Sequence, residues 1–188
     1  MSEGAGIPVV SVVGKSDSGK TTLVERLIRA LVARGWRVGT VKHHVHDFDI
    51  DIPGKDSWRH ARAGATVTLV SSPSKLGMIR EMDHEATLDE LLTLAGGVDI
   101  LLTEGYRRAG DVRIEVSRRA RSTELVCEPG ELFAVATDND ELDVGSVPRF
   151  GLDDADGLAD VIERSFLLSG PGGEESAASS TNEAPDGD

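Results

Sequence analysis

Residues 8–35 read PVVSVVGKSDSGKTTLVERLIRALVARG, and this stretch decides the fold. PVVSVV is a short, β-branched apolar run, the pattern of a buried strand. A glycine-bounded polar loop follows at once. Leu23, Leu27, Ile28 and Leu31 then recur at helical spacing, and Gly35 is placed to end the helix. The loop GKSDSGKT, residues 14–21, lies between strand and helix. Gly14 and Gly19 allow backbone angles that aim successive N–H groups inward, and the helix adds its positive N-terminal end. This is a phosphate cradle, a P-loop. Lys20 is expected to reach β- and γ-phosphates, and the Thr21 hydroxyl to meet Mg²⁺.

Further along, a second strand is expected over residues 37–43, giving β–loop–α–β and the opening of a parallel sheet. Residues 47–52 alternate polar and apolar, so Asp47, Asp49 and Asp51 share one face if the segment is extended. Pro53-Gly54 marks a turn, and Asp56 or Ser57 can cap a short helix ending near Gly64. TVTLVSS reads as a third strand and LGMIREM as a fourth, at an edge. Thr87 can cap LDELLTLA. DILLT, VRIEV, ELVC and LFAVAT read as further strands, and a last helix is expected over residues 154–168 with Leu158, Val161, Ile162 and Phe166 inward. The expected fold class is α/β: a three-layer P-loop NTPase fold with a mostly parallel central sheet.

Composition narrows the setting. The chain has 188 residues, enough for one α/β domain, and 39% hydrophobic residues support a core. Cys127 is the single cysteine, so no disulfide forms within the chain and a cytoplasmic location is expected. No signal peptide and no apolar run of roughly 20 residues is seen, so no membrane span is expected. A formal net charge of −13 argues against nucleic acid as a partner. Residues 169–188 are rich in Gly, Ser, Pro and acids and lack large apolar residues; they read as a disordered acidic tail after a nucleotide-binding domain over 1–168.

Phosphate chemistry needs a metal-holding acid near the loop. Glu104, closing ILLT, and Asp49, shortly after the second strand, both fit. His43, His44 and His46 stand near three aspartates, but their spacing matches no standard closed metal site. Lys42, Lys55, Arg59 and Arg62 are candidates for a second anion site. Asp138, after LFAVAT, is a candidate acceptor for guanine N–H groups. No motif marks a catalytic base or an arginine finger, and no arginine-rich lid is visible, so any hydrolysis is expected to be slow.

Three blocks together, GKSDSGKTTL, VKHHVHDFDIDIPGKDSWRHARAGA and DILLTEGYR, resemble the molybdopterin-guanine dinucleotide biosynthesis protein B (MobB) family. The middle block is the most specific, and the resemblance spans about residues 9–168. It implies a GTP-binding adaptor, a weak Mg²⁺-dependent GTPase, that assists the guanylyltransferase joining GMP to molybdopterin and forms a homodimer. Carried onto this chain, Gly14, Ser18, Gly19, Lys20, Thr21 and Thr22 would contact nucleotide. Asp49 and Glu104 would lie near magnesium and the γ-phosphate, and His43, His46, Lys55 and Asp56 would line the remaining cleft. Lys20, Glu104 and Asp49 would then carry catalysis, with Thr21, Asp49 and Glu104 on the metal. Two features depart from the family pattern. Tyr106-Arg107 replaces the usual Phe-Lys. Lys15 follows Gly14 directly, as does the lysine with which dimeric P-loop ATPases reach the partner's phosphates. A nucleotide or cofactor carrier without chemistry, and a P-loop small-molecule kinase, are the competing readings.

Overall fold

The computed structural model describes residues 6–44, 46–106 and 112–168. The tail expected over 169–188 and Arg107 lie outside these. The chain divides into two units, one of residues 1–43 with 92–188 and one of residues 44–91.

The larger unit is built on a sheet of six strands. They are β1 (Val9–Val13), β2 (Val38–Lys42), β5 (Ile100–Glu104), β6 (Val112–Ser117), β7 (Ala134–Thr137) and β8 (Arg149–Phe150), in the order β2-β5-β1-β6-β7-β8. Every pairing within it is parallel. All five residues of β1 are buried, as expected for the central strand of a parallel sheet. The chain runs outward to β2 on one side of β1 and later continues through β6, β7 and β8 on the other. That reversal makes the carboxyl end of β1 the switch point where α/β sheets hold ligands.

Helix α1 (Lys20–Ala33) buries Leu23, Val24, Leu27 and Leu31. It shares a core with α4 (Ala155–Ile162), which buries Leu158 and Ile162, and with the sheet residues Val10, Val12, Ile100, Leu102, Ile114 and Val116. Gly35, at φ 93°, follows α1 as expected. The last helix continues over Glu163–Leu167 in a wider, π-helical turn. On β7, Ala134 and Ala136 join this core, while Val135 packs with Leu142 and Val144 in a second cluster. This is the α/β P-loop NTPase architecture expected from the sequence. The two-residue β8 was not foreseen, being too short for a periodic signal.

ELVC is a correction. Residues 124–127 form no strand: the N–H groups of Val126 and Cys127 are taken by one side chain and that of Glu124 by the Ser122 hydroxyl. Glu115, buried on β6, accepts from Val126 N–H at 2.7 Å and from Cys127 N–H at 3.0 Å. Glu115→Ala would leave both donors unmatched and is expected to cost about 2–4 kcal/mol of stability, read by urea denaturation.

The start of β2 is tied to β5 by Arg37 and Asp99. Arg37 donates from N–H, Nε and Nη2 to the Asp99 carboxylate at 2.7, 3.1 and 2.6 Å. The guanidinium hydrogen bonds lower the Asp99 pKa, against the smaller effect of burial. A depressed acid stabilises the fold above the ordinary carboxylate range and loses that contribution as pH falls through its folded value. Asp99→Asn is therefore expected to melt below wild type at neutral pH, with the gap narrowing in acid. A gap constant with pH would contradict this linkage.

The smaller unit contains α2 (Asp56–Arg62), β3 (Val67–Ser71), β4 (Leu76–Arg80) and the first turn of α3 (Leu88–Leu94). Among the described residues β3 and β4 pair only with each other, as an antiparallel ribbon. The fourth strand thus belongs to a separate two-stranded sheet. Neither Asp56 nor Ser57 caps α2: Lys55 holds the cap position, with no side-chain bond, and Asp56 lies in the first turn. Ser57 instead donates to Asp51 at 3.1 Å. Thr87 caps α3 as expected, accepting from Glu90 N–H at 3.3 Å while Glu90 accepts from Thr87 N–H at 2.8 Å. Residues 47–50 are exposed and irregular rather than a strand.

Candidate functional site

At the switch point the loop after β1 takes conformations its sequence permits. Gly14 has φ 140° and Gly19 φ 105°, and Gly19 occupies the N-cap of α1. Gly14 is also sterically required. A Cβ there would stand 2.4 Å from the Val116 carbonyl oxygen on the neighbouring β6. Asp17 is a non-glycine residue in the left-handed region, at φ 56°.

Above the loop lies a cleft of about 550 Å³, lined by residues that include Gly19, Lys20, Thr21, Thr22, Lys42 and Glu104. The Lys20 ammonium donates to the Lys15 carbonyl at 2.7 Å, an arch across the loop. Thr21 Oγ1 donates to Glu104 Oε1 at 2.7 Å. Parallel pairing produces this contact: Val12 stands in register with Glu104, so the acid ends β5 as the loop begins. A hydroxyl and a carboxylate at this distance are hard oxygen donors of the kind that hold Mg²⁺ beside phosphate. Lys42 lies in register with Glu104 at the end of β2, its Nζ 3.9 Å from Oε1.

The structure therefore gathers Gly19, Lys20, Thr21, Thr22 and Glu104 in the cleft, while Gly14 and Ser18, of the same loop, are not among its lining residues. Ser18 is buried, and its Oγ has no hydrogen-bond partner among the described residues. Lys15 is exposed and contributes its carbonyl. Asp138, exposed after β7, accepts the Arg119 N–H at 2.6 Å through Oδ1. Asp49, His46, Lys55 and Asp56 belong to the smaller unit, as do Arg59 and Arg62; of the suggested second anion site only Lys42 lines this cleft. His43 stays in the larger unit, its N–H donating to the Glu104 carbonyl at 3.0 Å. Its ring stacks on Tyr106 at 4.9 Å between centroids, and His44 lies against Phe48 at 5.7 Å.

Sequence reasoning missed Arg118, which also lines the cleft. Its signal was the pair Arg118-Arg119 directly after β6 (Val112–Ser117), since a residue leaving β6 must emerge beside the loop that leaves β1.

Comparison with known proteins places this arrangement. The family described as "Molybdopterin guanine dinucleotide synthesis protein B" matches residues 9–138. A molybdopterin-guanine dinucleotide biosynthesis adapter protein of Escherichia coli K12 is 38% identical over 165 residues, covering 83% of this chain and 91% of that protein. The adapter protein of the same description from Haemophilus influenzae is 33% identical, covering 84% and 88%. A crystal structure of molybdopterin-guanine biosynthesis protein B superposes with a TM-score of 0.62 at 30% identity, covering 83% of this chain and 98% of that one. No helix among the described residues is long and apolar enough to cross a membrane. With family match, relatives and fold in agreement, the chain belongs to the MobB family, that of molybdopterin guanine dinucleotide synthesis protein B.

Proposed function

We propose that this protein is a GTP-binding adapter of molybdenum cofactor biosynthesis. It would assist the guanylyltransferase that joins GMP to molybdopterin, and it would hydrolyse GTP slowly. The observation that carries the nucleotide reading is the 2.7 Å contact between Thr21 and Glu104 at the mouth of a glycine-bounded loop whose lysine lies in the same cleft. The adapter role rests on relatives that share most of their length with this chain.

In this reading the loop N–H groups and the start of α1 bind the phosphates. Lys20 exchanges the Lys15 carbonyl for β- and γ-phosphate oxygens. Thr21 and Glu104 would hold Mg²⁺. The ion would neutralise charge on the phosphate oxygens. Lys20 and the loop N–H groups stabilise the charge that develops as water attacks. Asp138 offers its second carboxylate oxygen to guanine, Oδ1 being taken by Arg119. A homodimer, with Lys15 reaching the partner's nucleotide, and a cytoplasmic location belong to the same proposal.

Two measurements test it together: GTP hydrolysis by the protein alone and with the guanylyltransferase, and dinucleotide formation by that enzyme with and without the adapter. The reading expects slow hydrolysis alone, and faster product formation when adapter and GTP are both present. Fast hydrolysis alone, or no effect on the transferase, would contradict it.

A further inference from the structure

The cleft has two unlike walls. One carries Thr21, Glu104 and Lys42, on the β5–β2 side of β1. On the other side the chain leaves β6 and turns tightly, the N–H groups of Arg121 and Ser122 both donating to the Arg118 carbonyl, at 2.8 and 3.0 Å. Two arginines of this turn have acidic partners. Arg119 lies 3.4 Å from Glu141, and Arg121 lies 3.4 Å from Asp17 of the loop itself.

Arg118 differs. It is half-buried and lines the cleft. Its Nε donates to the Ser18 carbonyl at 3.4 Å, and Nη2 lies 3.3 Å from where a Cβ on Gly19 would stand. The guanidinium thus lies over the first turn of α1. Among the described residues it has no carboxylate within ion-pair reach, in a chain of net charge −13. A half-buried cation without a counter-charge is costly unless an anion joins it.

We propose that Arg118 binds the α-phosphate of the nucleotide. The assignment rests on reading the cleft as a nucleotide site. Thr21 and Glu104, with the Lys20 ammonium in the same cleft, would hold a magnesium ion and the β- and γ-phosphates on the β5 side. The phosphate chain then leaves toward β6, where Arg118 waits. Arg118 therefore recognises what nucleoside di- and triphosphates share, whereas Lys42, beside Glu104, faces the γ end. The guanidinium fork suits two phosphate oxygens in a way an ammonium does not.

Isothermal titration of Mg²⁺ with GTP, GDP and α-thio-GDP tests this on wild type, Arg118→Ala and Arg118→Lys, with folding checked by thermal melts. Arg118→Ala is expected to weaken GTP and GDP by the same factor, about tenfold or more. Arg118→Lys, which retains stem and charge if the alanine variant fails to fold, should recover only part of the loss. Wild type should bind α-thio-GDP more weakly than GDP, and Arg118→Ala should remove that difference. Unchanged affinities, a loss confined to GTP, or a persistent thio effect in Arg118→Ala would overturn the assignment. A wild type that binds no nucleotide would overturn the nucleotide reading itself, an outcome distinct from a binding wild type with an indifferent variant.

Discussion

Gly14→Ala is expected to destabilise the protein by about 2–5 kcal/mol and to abolish high-affinity nucleotide binding, because it strains the backbone and creates a clash. The new Cβ would stand 2.4 Å from the Val116 carbonyl oxygen and 3.0 Å from Ser18 Oγ. The serine can rotate, but the carbonyl belongs to the backbone of β6, which is paired to β1 on one side and β7 on the other, and it cannot move without disturbing the sheet. The φ of 140° adds strain for any residue with a side chain. The loop must therefore shift away from β6, which misaims the N–H groups that converge on the phosphates. Urea denaturation and nucleotide titration on the same preparation would read both effects. Gly35→Ala is the control that carries backbone strain without the clash: its φ is 93°, but no atom lies within 4 Å of a Cβ there and the position is far along the chain from the cleft.

Lys20→Ala acts on binding alone. The ammonium contacts the Lys15 carbonyl at 2.7 Å and lies in the cleft rather than the core. Its removal should hardly change the melting temperature. Two charge-assisted bonds to phosphate would be lost, so Mg²⁺–GTP affinity should fall on the order of 100-fold or more. A folded variant that binds GTP like wild type would remove Lys20 from the site. A variant that unfolds would instead assign the lysine to the architecture of the loop.

These predictions concern the part of the molecule that was most legible in the sequence. The β1–loop–α1 unit is local. Its strand is buried on both faces, its loop needs glycine at two fixed positions, and Leu23, Leu27 and Leu31 mark one helix face. Each element can be read without knowing its neighbours. Glu104 was legible for a related reason: an acid that closes an apolar run in a parallel sheet ends at the same edge as the loop, and the register of Val12 with Glu104 realises that.

Long-range pairing was less legible. ELVC has the composition of a strand, yet the buried carboxylate of Glu115 takes the N–H groups of Val126 and Cys127, and nothing local announces that competition. TVTLVSS and LGMIREM were recognisable as strands. That, among the described residues, they pair with each other and not with the six-stranded sheet is a long-range choice that periodicity does not encode. Arg118 was overlooked because RRAR after a strand looks like ordinary surface charge. Only the position of β6 beside β1 turns it into the cleft. Asp138 was legible as an acid at a strand end, but its bond to the Arg119 N–H depends on the same adjacency of β6 and β7.

The central claim is that the cleft between the Gly14–Gly19 loop and Glu104 binds a guanine nucleotide with magnesium. Calorimetric titration of the wild-type chain with GTP and with ATP, each with Mg²⁺, tests it most directly. The account predicts saturable binding of one GTP per chain, dependent on Mg²⁺ and tighter than ATP. A folded protein that takes up no GTP with Mg²⁺ present would contradict it.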